Sequence, residues 1–206
     1  MTGEDGELSA FLVERETDGL TVGRTIEKMG LWASVTSEVS FEDCRVPADH
    51  LLGDRGAGRA CLREVLTRIR LTTAALALGV GRAALDDAVR YAGERVQFGR
   101  PIGKYQAIRV QLADRATELE AARHLTEHAA RCEDAGEPNM KVASMAKLFA
   151  SESAMKACDT ASRVLASYGY AMEYPVQRYL RDARFTLIGG GTSEILKLII
   201  AKEIGL

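Results

Sequence analysis

The 206-residue sequence is short of the features that mark most specialised proteins: it has four cysteines, four prolines, no excess of either charge and no long apolar run. Cys44, Cys61, Cys132 and Cys158 are widely spaced, with no CxxC pair and no density that would staple a small secreted fold, so they read as reduced thiols. Disulfides and a zinc site are therefore not expected. Lys and Arg number 27 against 29 Asp and Glu, a net charge of -2, which gives no electrostatic case for nucleic acid or an anionic membrane. No apolar stretch approaches the ~20 residues of a membrane span. The opening Met1-Thr2-Gly3-Glu4-Asp5-Gly6 lacks the basic and apolar regions of a secretion signal, so the expectation is a cytoplasmic protein. What is present, 47% hydrophobic and 27% charged residues, suits a globular chain of one large or two small domains.

The character of the chain changes once. Residues 9–46 read as extended: Ala10-Phe11-Leu12-Val13 is a short apolar run, and Val39 and Phe41 alternate with Glu38, Ser40 and Glu42. Pro47, Asp49, His50 and the glycine-rich 53–58 then form a breaker-rich connection, which divides the chain into a partial β-domain, 1–53, and a helical domain, 54–206. The strand cluster cannot close a sheet or barrel by itself, because its edges would stay unpaired, so it resembles the later part of a larger β-domain.

Beyond residue 59, proline is confined to 101, 138 and 175, and Ala, Leu, Arg and Glu dominate. Long helices are predicted at about 56–93, 103–134, 140–166 and 192–204, with a shorter one near 175–183. In the third, Val142, Met145, Leu148, Met155, Cys158 and Leu165 form one apolar stripe, expected to be core. Breakers at Gly99-Arg100-Pro101 and Ala135-Gly136-Glu137-Pro138 leave short connections, so successive long helices should pack antiparallel. The fold expected is mainly α: an up-down helical bundle preceded by a partial antiparallel β-domain.

Four motifs bear on chemistry. Gly79-Val80-Gly81-Arg82-Ala83-Ala84 fits a dinucleotide fingerprint, but it falls inside a helical stretch rather than between a strand and a helix, so its small residues are read as a close helix–helix approach. His124-Leu125-Thr126-Glu127-His128 matches the HxxEH metal pattern, yet Glu120, His124, Glu127, His128 and Arg131 form a polar strip suited to a solvated helix face. No metal is assigned. The run Glu94-Arg95-Val96-Gln97-Phe98-Gly99-Arg100-Pro101 combines a cation, an amide and an aromatic at a turn, and Gln106 follows as the next helix begins. An arginine here can grip a pyrophosphate while the ring lies against an adenine; alternatively Gly99 and Pro101 only shape the turn and Phe98 is buried. Finally, Ile188-Gly189-Gly190-Gly191-Thr192-Ser193-Glu194-Ile195 opens three glycines onto a helix start, where backbone can approach a ligand and N–H groups point outward.

Taken together, these stretches resemble the acyl-CoA dehydrogenase family of flavoenzymes. SAFLVERETDGLTVG (9–23) and KMGLWASVTSEVSFEDCRVPADHLLG (28–53) resemble later strands of its middle β-domain; ERVQFGRPIGKYQ (94–106), GYAMEYPVQRYLRDAR (169–184) and IGGGTSEI (188–195) resemble its C-terminal helical bundle. The family's N-terminal helical domain and the first half of its β-domain have no counterpart here.

The resemblance implies an oxidoreductase and flavoprotein of fatty acid metabolism that binds FAD, dehydrogenates an acyl-CoA or acyl-carrier thioester between its α and β carbons, and passes electrons to an electron-transfer flavoprotein. It implies a tetramer, or a heteromer with another dehydrogenase subunit. Arg95, Gln97, Phe98 and Gln106 fall on FAD-contacting positions, the first three toward a neighbouring subunit's cofactor; Thr192 and Glu194 match further FAD positions, and Arg70 and Gly191 match the substrate side. The family's Gln-x-x-Gly-Gly before Gly-Tyr is Arg163-Val164-Leu165-Ala166-Ser167 here. In the family a glutamate removes the α-proton, either immediately before the Gly-Thr or directly before the arginine of the first long helix. Those positions are Gly190 and Ile69, neither of which accepts a proton, so no catalytic residue is assigned. A glycine keeps its N–H, so an oxyanion contribution at 190 survives the change. The alternative implied is a non-catalytic or truncated subunit that completes the FAD and thioester site of a partner dehydrogenase.

Overall fold

The computed structural model describes residues 6–137 and 139–206. The opening five residues and the breaker Pro138 lie outside the described residues. The chain divides into two compact units, the first ending at Leu66 and the second running from Thr67 to Leu206.

The first unit carries two antiparallel pairs. Strand β1 (Ala10–Phe11) pairs with β4 (Leu51–Leu52), and β2 (Leu20–Thr25) pairs with β3 (Ser37–Phe41) with a bulge between Val22 and Thr25. Val22 and Val39 lie directly opposite each other, yet both, like Phe41, are exposed. The alternation at Val39 and Phe41 thus describes a strand, but not a face buried within this unit: each sheet has only two strands, too few to build a layered core.

The helical part begins with α1 (Gly58–Glu94), followed by a hairpin of β5 (Val96–Gln97) and β6 (Arg100–Pro101), then α2 (Gln106–Asp134), α3 (Met140–Leu165), α4 (Val176–Thr186) and α5 (Ser193–Glu203). Local chemistry sets the ends. Asn139 stands at the N-cap of α3, its backbone carbonyl accepting from Ala143 N–H, while its Nδ2 donates to the Ala129 carbonyl of α2 at 2.8 Å and ties the two helices together. Thr192 stands at the N-cap of α5, its hydroxyl accepting from Ile195 N–H. Among the described residues no helix is long and apolar enough to cross a membrane.

Helix α3 is the bundle's centre, and the structure corrects its expected core stripe. Cys158 and Leu165 are buried, but Val142, Met145, Leu148 and Met155 are only half-buried. Apart from Lys147 and Cys158, the fully enclosed positions are small: Ala143, Ala146, Ala150, Ala154, Ala157 and Ala161, with Ser144, Ser151 and Ser153. The reason is that α3 packs against α2, α4 and α5 as well as α1, which leaves only a narrow exposed strip at Lys141, Phe149, Lys156 and Arg163 and encloses the helix on its other sides. Short side chains let helix axes approach at the near end of the usual 8–10 Å range. Ala74, Ala77, Ala84, Ala88 and Ala92 supply the matching surface on α1. Gly81 belongs to it: a Cβ there would stand 2.9 Å from Ala154 Cα and 2.8 Å from Leu119 Cδ2. The fingerprint-like run 79–84 is therefore a helix contact within α1.

Candidate functional site

The glycine turn between α4 and α5 brings together two buried cations of the second unit. Gly190 and Gly191 adopt φ of +72° and +107°, conformations open to glycine and costly to other residues. Their carbonyls are held by two cations. Arg70, only 4% exposed, donates from Nε to Gly190 O at 3.3 Å and from a terminal nitrogen to the Met140 thioether. Lys147, fully buried, donates from Nζ to Gly191 O at 2.7 Å. Burial lowers the pKa of both groups; for Lys147 it falls to about 8, with Arg70 acting in the same direction and Glu152 and Glu194 opposing.

The two carboxylates beside this turn are already engaged. Ser193 Oγ donates to Glu152 at 2.7 Å. Glu194 is held below the usual carboxylate range, first by its own backbone N–H and then by the Thr192 hydroxyl. Opposite Gly190 stands one turn of α1: a Cβ at position 190 would lie 3.2 Å from Thr73 Oγ1 and 3.4 Å from Ile69 Cγ2. Positions 69 and 190, the two places from which the resemblance would draw a base, thus flank one spot. What occupies that spot is an alkyl chain, a hydroxyl bonded to Ile69 O at 2.7 Å, and bare glycine backbone.

A second cluster sits on the hairpin after α1. Val96 pairs with Pro101 and Gln97 with Arg100, and the two residues at the tip, Phe98 and Gly99, have φ of +51° and +82°, as a type I′ turn requires. Phenylalanine is a costly choice for that conformation. The tip is clamped nonetheless: Tyr105 Oη donates to Gln97 O at 2.9 Å, and the Arg100 guanidinium lies 4.3 Å from the centre of the Tyr105 ring. Phe98 is 92% exposed, so the reading in which it is simply buried does not hold. Arg95 and Gln97 are exposed beside it, and exposed Gln106 begins α2. The turn thus presents an outward-facing ring beside a cation and amides, groups that can stack on a planar ring and pair with phosphates.

The structure therefore gathers Arg70, Gly191, Thr192 and Glu194 at one place and Arg95, Gln97, Phe98 and Gln106 at another. It does not bring the two groups together within one chain: from Arg70 to Glu94 the continuous helix α1 runs about 36 Å at about 1.5 Å per residue. Lys147 escaped the sequence reading. Its signal was a charge on the helical face shared by Ala143, Ala150 and Ala154, at spacings of four, three and seven. In the departing stretch 163–167, α3 ends at Leu165 and Ala166 takes φ 53°, ψ −125°, a conformation suited to glycine. His124, His128 and Arg131 are exposed, and His124 bonds Glu120 at 3.1 Å as the solvated strip predicts.

Comparison with known proteins adds independent findings. Residues 56–205 match the family described as acyl-CoA dehydrogenase, C-terminal domain. The chain is 62% identical over 203 residues to a benzylmalonyl-CoA dehydrogenase of Aromatoleum aromaticum, covering 98% of this chain and 54% of that protein. It is 46% identical to the human mitochondrial short-chain specific acyl-CoA dehydrogenase, over 96% of this chain and 48% of that one. The solved butyryl-CoA dehydrogenase from Megasphaera elsdenii superposes with a TM-score of 0.96 at 40% identity, covering 99% of this chain and 54% of that structure. The chain thus spans about half the length of the relatives it matches.

Proposed function

This chain belongs to the acyl-CoA dehydrogenase family, and on that premise we propose that it contributes the helical part of a FAD-dependent oxidoreductase acting on the CH–CH group of an acyl-CoA thioester. The observation that carries the reading is the turn at 189–192, where buried Arg70 and Lys147 hold consecutive carbonyls beside the N-terminus of α5.

Donation from Arg70 to Gly190 O and from Lys147 to Gly191 O fixes the orientation of two successive peptide planes. Their N–H groups and the first turn of α5 then present fixed dipoles to a thioester oxygen, which need not reorganise as negative charge develops. Thr192 and Glu194 adjoin the same turn and would contact FAD. Arg95, Gln97, Phe98 and Gln106 would hold a different FAD molecule, since the length of α1 separates the two clusters, so the proposed assembly is an oligomer in which the hairpin serves a neighbour. Bound FAD supplies the two-electron acceptor for the β-hydrogen. An electron-transfer flavoprotein is the proposed partner that reoxidises it. The benzylmalonyl-CoA and short-chain acyl-CoA relatives support a CoA thioester as substrate.

Gly190 and Ile69 favour a second reading, a non-catalytic subunit that completes a partner dehydrogenase. One anaerobic experiment separates the two. The flavin-loaded protein carrying this chain is mixed with a panel of acyl-CoA thioesters, and flavin bleaching is followed. Bleaching without any other dehydrogenase subunit supports the catalytic reading; bleaching only after a second subunit is added supports the other. Failure to bind FAD in either setting refutes both.

A further inference from the structure

The surroundings of Gly190 pose a chemical problem: forming a double bond from an acyl thioester requires an electron pair at the α-carbon, and nothing at this turn is suited to release it by taking a proton. Thr73 offers a hydroxyl already donated to Ile69 O, and Ile69 offers only alkyl carbon. Arg70 is a cation. Lys147 is fully buried, and its ammonium already donates to Gly191 O. Glu152 accepts from Ser193, and Glu194, held low by its own N–H and Thr192, is a poor base.

Other features at the same spot suit an anion on the substrate. Arg70 is 4% exposed, and both of its hydrogen-bond acceptors, the Gly190 carbonyl and the Met140 thioether, are neutral. A buried guanidinium without an ionic partner is unfavourable unless a ligand supplies one. Positions 190 and 69 present only glycine backbone and an alkyl chain, so neither places a carboxylate where it would repel an anionic substituent on the α-carbon.

We infer that the thioester taken at this turn carries a second carboxylate on its α-carbon, and that departure of this carboxylate as CO2, rather than removal of an α-proton, supplies the electron pair. The inference rests on the dehydrogenase reading given above. The step balances without a base. The bond between Cα and the carboxylate carbon breaks, and its pair forms the Cα=Cβ π bond as the β-hydrogen leaves with its own pair to the flavin oxidant. The products are CO2, an α,β-unsaturated thioester and flavin reduced by two electrons. Arg70 contributes to recognition of the anion. Ile69 presents alkyl surface to a group that loses its charge as CO2 forms, which disfavours the charged ground state relative to the transition state. The thioester oxygen, where negative charge gathers meanwhile, faces the N–H groups of the turn.

The test uses the flavin-loaded protein carrying this chain and a matched pair of thioesters, 2-benzylmalonyl-CoA with a 13C-labelled free carboxylate and 3-phenylpropanoyl-CoA, which lacks that carboxylate. The malonyl compound is expected to bleach the flavin and release one labelled CO2 per flavin reduced. The second compound is expected to bleach it at least about 100-fold more slowly, the lower bound of what a general base contributes. In deuterated solvent its α-hydrogens should not exchange, a readout independent of flavin reduction. Comparable bleaching by 3-phenylpropanoyl-CoA, or exchange of its α-hydrogens, overturns the inference and leaves the dehydrogenase reading standing. Bleaching by neither compound overturns both. Ile69→Glu, which places a carboxylate beside Gly190 without the strain that a side chain at φ +72° would bring, is expected to introduce α-hydrogen exchange with 3-phenylpropanoyl-CoA. Absence of exchange in a folded Ile69→Glu protein would count against the assigned position of the α-carbon and hence against the inference.

Discussion

Lys147 offers the sharpest quantitative test of how the glycine turn is held. Its ammonium is fully buried, and burial moves its pKa from 10.5 to about 8 despite the opposing pull of Glu152 and Glu194. The sign of the stability effect follows. Below pH 8 the lysine is charged in both folded and unfolded chains, and the folded state bears the full cost of enclosing the charge. Between about 8 and 10.5 the folded protein loses this proton while the unfolded chain keeps it, so this group's contribution to stability rises with pH and levels off above 10.5. At about 1.4 kcal/mol per pH unit, the full rise is about 3 kcal/mol.

Lys147→Met keeps much of the volume and removes the titration. At pH 7 the substitution relieves the buried charge but forfeits a charge-assisted bond to Gly191 O worth about 1.5–3 kcal/mol, so the two proteins should lie close in stability there. The informative quantity is the difference with pH. Urea unfolding at intervals from pH 7 to 10 should show the wild type gaining on Lys147→Met by 2 kcal/mol or more, by order of magnitude about the full rise. Other titrating groups cancel in that difference. Parallel curves for the two proteins would refute the buried ammonium and with it the account of how Gly191 is oriented.

Three further outcomes are expected. Phe98→Ala should leave the melting temperature nearly unchanged, because the ring is 92% exposed, while the protein's flavin content falls; a drop of several degrees would show the ring to be structural. Gly81→Leu should cost about 1–3 kcal/mol or more through overpacking against Ala154 and Leu119, read as a lower urea midpoint; an unchanged midpoint would mean α1 and α3 are not in close approach. Ala166→Gly should stabilise by about 1 kcal/mol by releasing strain at φ 53°, ψ −125°, and a loss of stability would contradict that strain.

The order and extent of the helices were legible because their determinants are local. α1, α2, α3 and α5 begin and end within about three residues of the expected limits, set by the breakers at 99–101 and 135–136 and by Thr192 before α5. A break at 99–101 was readable from Gly99 and Pro101, but the left-handed tip at Phe98 was not, because phenylalanine rarely takes that conformation. The buried face of α3 was not. Large apolar side chains dominate any periodicity, yet a helix enclosed on several sides buries its alanines and serines most completely. Lys147 was lost for a related reason: a lysine within a helix reads as solvated until its neighbours are known.

The sequence by itself determined the helices, the two glycine-dependent turns and the absence of a carboxylate at positions 69 and 190, all of which follow from residue type and short-range geometry. Only the tertiary structure decided that Ile69 and Gly190 meet, that Arg70 and Lys147 grip neighbouring carbonyls of one turn, and that the length of α1 separates this turn from the exposed Phe98 hairpin. Those relations join residues far apart in the chain, and they exist because alanine-lined helices pack closely enough to bury two cations beside a turn of bare backbone.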